Sequence, residues 1–181
     1  AWLVSPTGVN TNPVISTVGS LIGPVGSNDF NSIGYLKSSA EGDRIAAAHW
    51  YGLNSVEIFD FNNATGQLSN PITLTGFTVS GCYGVEFAPS EPILYVTERT
   101  YDGYLYQFDL SSNSQTDINN SRITLDSFEG RLGALQLGPD GRMYVSKRNS
   151  AYLGMISKPD ILGMDCDYVE DGVYLGGQVS W

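Results

Sequence analysis

The sequence predicts an all-β fold, a β-propeller fragment of about three four-stranded blades plus the outer half of another, within a seven-bladed ring. Three observations predict it: a composition suited to short strands, an internal echo every 49 residues, and alternation of apolar and polar residues inside the echoed blocks.

The 181 residues are 41% hydrophobic and 15% charged, the balance of a folded domain with a sizeable core. Glycine (21) and tyrosine (11) are plentiful, and long runs of strong helix formers are missing, so helix does not dominate. Nine Lys and Arg against nineteen Asp and Glu give a net charge of -10. A duplex or an anionic membrane surface repels such a chain overall, so no nucleic-acid partner is expected. No apolar run reaches the roughly 18 residues of a membrane span, so no transmembrane segment is expected. Ala1-Trp2-Leu3-Val4 carries no basic leader, which suits an excised mature segment.

The echo sets the architecture. Ile45, Leu94 and Met143 fall 49 residues apart, each inside a matching block. Val56-Glu57-Ile58-Phe59-Asp60-Phe61 and Leu105-Tyr106-Gln107-Phe108-Asp109-Leu110 repeat at the same spacing, with Leu153-Gly154-Met155-Ile156 as a weaker copy. Inner strands are expected at Tyr35–Ser38, Val85–Ala88 and Ala134–Gly138, and second strands at Arg44–Ala48, Ile93–Thr97 and Arg142–Ser146. Third strands follow at Ser55–Phe61, Tyr104–Leu110 and Tyr152–Ser157, and fourth strands near Ile72–Thr75, Ile123–Leu125 and Val173–Leu175. Glu41-Gly42-Asp43 and Pro139-Asp140-Gly141 supply the tight turns between first and second strands. A β-sandwich of similar strands is the competing fold, but it needs no such in-phase repeat.

Thr7-Gly8-Val9-Asn10-Thr11-Asn12-Pro13-Val14 copies Thr65-Gly66-Gln67-Leu68-Ser69-Asn70-Pro71-Ile72, which lies between a third and a fourth strand. Residues 1–26 are therefore expected to be the outer two strands of a truncated blade and a linker. Blades follow at 27–75, 76–125 and 126–181, the last with the start of another. Both ends read as cut, which leaves two apolar blade faces. Their expected partners are the remainder of the ring, a second copy, or a partner subunit.

The run from Gly34 to Gly177 resembles the propeller region of large secreted proteins of the Bacteroidota. Those proteins commonly end in a gliding-motility-associated C-terminal domain exported by type IX secretion. The resemblance rests on Asn31-Ser32-Ile33-Gly34-Tyr35-Leu36-Lys37, Tyr83-Gly84-Val85-Glu86-Phe87-Ala88-Pro89 and Gly133-Ala134-Leu135-Gln136-Leu137-Gly138-Pro139-Asp140-Gly141. The two Phe-Asp blocks and Val173-Tyr174-Leu175-Gly176-Gly177 belong to it as well. Ser90-Glu91-Pro92 departs from the Pro-Asp-Gly turn. The resemblance implies a secreted or cell-surface location and a part in adhesion or recognition. It brings no common set of catalytic residues.

In a propeller, the loops after the second strands share a face with the loops leading into the inner strands. That channel mouth is expected to carry His49, Trp50, Tyr51, Glu98, Arg99, Tyr101, Lys147, Arg148 and Asn149. Arg131 joins them, with Phe30, Phe128 and Glu129. Aromatic faces beside guanidinium and carboxylate groups suit a glycan or protein ligand. His49 is the only histidine, and no nucleophile-elbow motif accompanies it, so no catalytic residues are assigned. No metal site and no cofactor are expected; Asp165-Cys166-Asp167 and Glu170-Asp171-Gly172 read as a solvated acidic loop rather than a calcium loop. Cys82 and Cys166 read as two separate core residues, with a single bridge in an oxidising compartment as the alternative. The reading is thus a non-enzymatic extracellular recognition module of a larger protein. A lactonase-like or glycan-acting enzyme and a half-ring assembly subunit are the alternatives.

Overall fold

The computed structural model describes residues 1–23, 30, 32–78 and 81–180, so Asn31 and the expected blade start at 27–29 lie outside it. The chain opens on a hairpin of β1 (Val4–Ser5) and β2 (Gly8–Val9). Backbone bonds from Asn10 to Leu3 (2.9 Å) and from Val14 to Ala1 (2.8 Å) lengthen it.

Three four-stranded antiparallel sheets follow, each in simple sequential order. The first holds β3 (Leu36–Ser38), β4 (Arg44–His49), β5 (Ser55–Asn62) and β6 (Gln67–Leu74). The second holds β7 (Cys82–Phe87), β8 (Ile93–Glu98), β9 (Asp102–Asp109) and β10 (Ile123–Glu129). The third holds β11 (Leu132–Leu137), β12 (Met143–Lys147), β13 (Tyr152–Ile156) and β14 (Tyr168–Tyr174). The fourth strands are longer than expected, and β10 runs on to Glu129, so the second blade ends there rather than at residue 125. A short helix α1 (Gln115–Asn120), capped by the Ser114 side chain, interrupts the second blade between its outer strands.

These sheets are propeller blades, not halves of a sandwich, because each inner strand packs on the inner strand of the next sheet. The strand β7 touches β3 and β4 on one side, and β11 on the other. Period two along β8 serves both interfaces at once. Leu94 and Val96 point into the core shared with the first blade, and Ile93 and Tyr95 into the core shared with the third. Close stacking at the second seam requires Gly84, where a Cβ would stand 2.6 Å from the Gly133 carbonyl oxygen and 2.7 Å from Thr97 Oγ1.

The free face of the first blade is not bare as the sequence implied; the chain itself crosses it. The Ser20 backbone N–H and hydroxyl donate to Glu57 Oε1 at 2.8 and 3.0 Å, and Leu68 N–H donates to Ser16 Oγ at 2.9 Å. Gly19 lies so close to the Phe59 ring that a Cβ would come within 2.8 Å of it. Phe59, Ala47 and Glu57 are buried as a result. At the far side, the segment 157–167 folds back onto the second blade. Tyr95 donates to the Pro159 carbonyl (2.9 Å), and Gln107 bonds Tyr95, Ile161 and Gly163. Cys82 and Cys166 are free, buried, and in different cores. Burial pushes both thiols up, and for Cys82 the neighbouring Glu98 carboxylate adds to the effect.

Candidate functional site

The loops after the second strands are placed by one repeated bond. Trp50 N–H donates to Ile33 O, Arg99 N–H to Gly81 O and Arg148 N–H to Arg131 O, at 2.9, 3.1 and 2.9 Å. In each blade this fixes the first loop residue against the chain leading into an inner strand. Trp50, Arg99 and Arg148 thereby occupy equivalent positions on one rim.

The ten expected site residues divide there into two groups. His49, Glu98 and Lys147 end the second strands, are buried, and face the preceding blade or the segment that takes its place. Each finds a polar partner. His49 Nε2 lies 3.0 Å from Glu57 Oε2, Glu98 accepts from the Tyr106 hydroxyl at 2.7 Å and from Thr78 N–H, and Lys147 donates to Asp171 at 2.5 Å. Buried polar side chains are retained when partnered in this way, so these three brace the rim from within. Burial, then the hydrogen bond to Glu98, raises the Tyr106 phenol, which stays a donor. Lys147 also sets Glu170 and Asp171 on β14, so that part of the acidic stretch is a braced strand, not a loose loop.

Trp50, Tyr51, Arg99, Tyr101, Arg131, Arg148 and Asn149 form the second group, half-buried or exposed at the rim. Phe30, Trp50 and Tyr51 cluster with ring centroids 6.0 to 6.4 Å apart. The Arg99 guanidinium lies over Trp50 (5.5 Å) and Tyr83 (4.8 Å), and that of Arg131 over Tyr101 (5.4 Å). Tyr51 is held at φ 42°, a left-handed conformation that costs a bulky residue free energy. The indole N–H of Trp50 and the side-chain oxygen of Asn54 are buried without a hydrogen-bond partner. Such atoms ask for an explanation.

A narrow pocket opens between these loops, lined by Tyr83, Arg99, Arg131, Leu132, Gly133 and Arg148. A larger cleft lies at the opposite end of the blades, between the hairpin turns 39–43 and 89–92. There the one guanidinium, Arg44, is tied to the Leu110 carbonyl at 3.1 Å.

A third feature is a polar arc along the inner strands. Lys37, Glu86 and Gln136 stand at matching positions on the three inner strands, paired with Ala46, Tyr95 and Tyr144. Lys37 Nζ donates to Glu86 Oε2 (2.7 Å) and to Gln136 Oε1 (2.9 Å), so the wall of the channel is a bonded polar arc. Their identical register was the available signal. Among the described residues no three His, Cys, Asp or Glu side chains stand together as metal ligands, and no helix is long and apolar enough to cross a membrane.

No protein-family model matches the sequence, and no curated protein matches it. Among solved structures it is similar to hydrazine synthase of Kuenenia stuttgartiensis, with 15% identity and a TM-score of 0.49 over 76% of this chain. It is also similar to the periplasmic gluconolactonase PpgL of Pseudomonas aeruginosa, with 20% identity and a TM-score of 0.46 over 68%. The chain spans 36% of the length of each of these structures.

Proposed function

We propose that this chain is a recognition module in a larger extracellular protein, using the channel mouth of its propeller blades to hold a ligand. The observation that carries the reading is the convergence of Trp50, Arg99, Arg131 and Arg148 from separate loops, and of Tyr83 from β7, onto one rim. Aromatic faces and guanidinium forks offer area and directional donors, and binding needs no more than that. The strained backbone at Tyr51 and the unsatisfied Trp50 and Asn54 atoms lie on the same loop, where stored cost accords with function rather than stability. The secreted setting rests on the resemblance to surface proteins of the Bacteroidota.

A glycan array and a pull-down from surface extracts test the reading. A ligand captured by the chain, and lost with Trp50→Ala at unchanged thermal stability, is the expected result. Absence of any ligand in both formats would count against recognition.

A further inference from the structure

The rim gathers positive charge in a chain that is acidic overall. Only nine Lys and Arg occur in a molecule of net charge -10, yet Arg99, Arg131 and Arg148 line a single pocket. They come from three loops, and two lie over aromatic rings: Arg99 over Trp50 and Tyr83, Arg131 over Tyr101. Guanidinium groups arranged so are preorganised for a planar oxyanion, and each carries five N–H donors, so a bond to a neighbour leaves others to offer. The pocket admits one small group, not a sugar ring. Around it stand exposed flat faces, Tyr101 at 84% and Tyr51 at 50% exposure.

We infer that the pocket takes the carboxylate of an acidic carbohydrate, a uronic-acid-bearing glycan whose sugar faces lie on the surrounding aromatic rings. The inference rests on the recognition reading above and names the ligand class for the same rim. The aromatic flank favours a sugar over an acidic peptide, because a peptide carboxylate needs the cations but not the flat faces. The negative remainder of the molecule repels polyanions at large, so capture depends on this one place.

Titration calorimetry of the chain with galacturonate, glucuronate and mannuronate oligosaccharides, each beside its neutral methyl ester, decides the matter. The free acid is expected to bind at least about tenfold more tightly than the ester, as one charge-assisted contact dictates. Added salt should weaken the acid alone. Arg148→Gln should abolish the preference for acid over ester, and Arg148→Lys should retain part of it, with near-ultraviolet circular dichroism checking that both variants fold. Acid and ester binding equally would overturn the inference and leave recognition standing. If no acidic or neutral glycan binds and polyglutamate does, the inference fails and the ligand is an acidic peptide. If nothing binds, both readings fail.

Discussion

Lys37 and Gln136, 99 residues apart in the chain, meet across the inner edge of the second blade at 2.9 Å. Glu86 lies between them in sequence and in space, accepting from Lys37 at 2.7 Å and from Leu137 N–H at 3.2 Å. Only inner strands that curve around a common axis bring three residues of identical register to one point.

Replacing Glu86 with glutamine should therefore cost stability out of proportion to its size. The side chain is buried, and it gives up an ion pair while keeping its volume. A loss of about 1–3 kcal/mol in urea unfolding is expected. No change in the midpoint would mean that the arc is a solvated coincidence.

The thiols set an alkaline limit. Both Cys82 and Cys166 are raised by burial, so the unfolded chain releases their protons first as pH rises. Their contribution is complete below the ordinary thiol value and declines above about pH 8.5. Buried phenols at Tyr95, Tyr106 and Tyr168, also raised mainly by burial, extend the decline. Urea midpoints under reducing conditions should fall between pH 8 and pH 10, and Cys82→Ala should flatten the slope. Neither thiol should react with a disulfide reagent until the chain unfolds. Flat midpoints, or fast labelling of the native chain, would contradict this.

Tyr51 offers a separation of stability from binding. Glycine accepts its φ of 42° without strain, and the ring is half exposed. Tyr51→Gly should leave the unfolding free energy level or raise it by up to about 1 kcal/mol, while weakening ligand capture. A loss near 2 kcal/mol would make the ring a core element.

The inner three strands of each blade were legible because their blocks repeat near 49, and β4, β5, β8 and β9 carry long buried runs. Outer strands were legible only in part, since β6 and β14 expose about half of their side chains and carry little alternation. The helix α1 buries only Ile118, so hydrophobic periodicity is silent there; Ser114 followed by Asp117 was the signal. At the rim, residue types were readable but burial was not. His49, Glu98 and Lys147 look like loop charges until the neighbouring blade, or the segment through Ser20, is set against them. That segment lies outside the repeat, and nothing in its pattern ties it to Phe59.

Radial blades that share an axis are what bring Lys37 to Gln136. A double-mutant cycle in urea unfolding with Lys37→Met and Gln136→Leu tests this directly. Coupling of about 0.5 kcal/mol or more between the two sites is predicted. Strict additivity would contradict it, because residues of the first and third blades would then not meet at all.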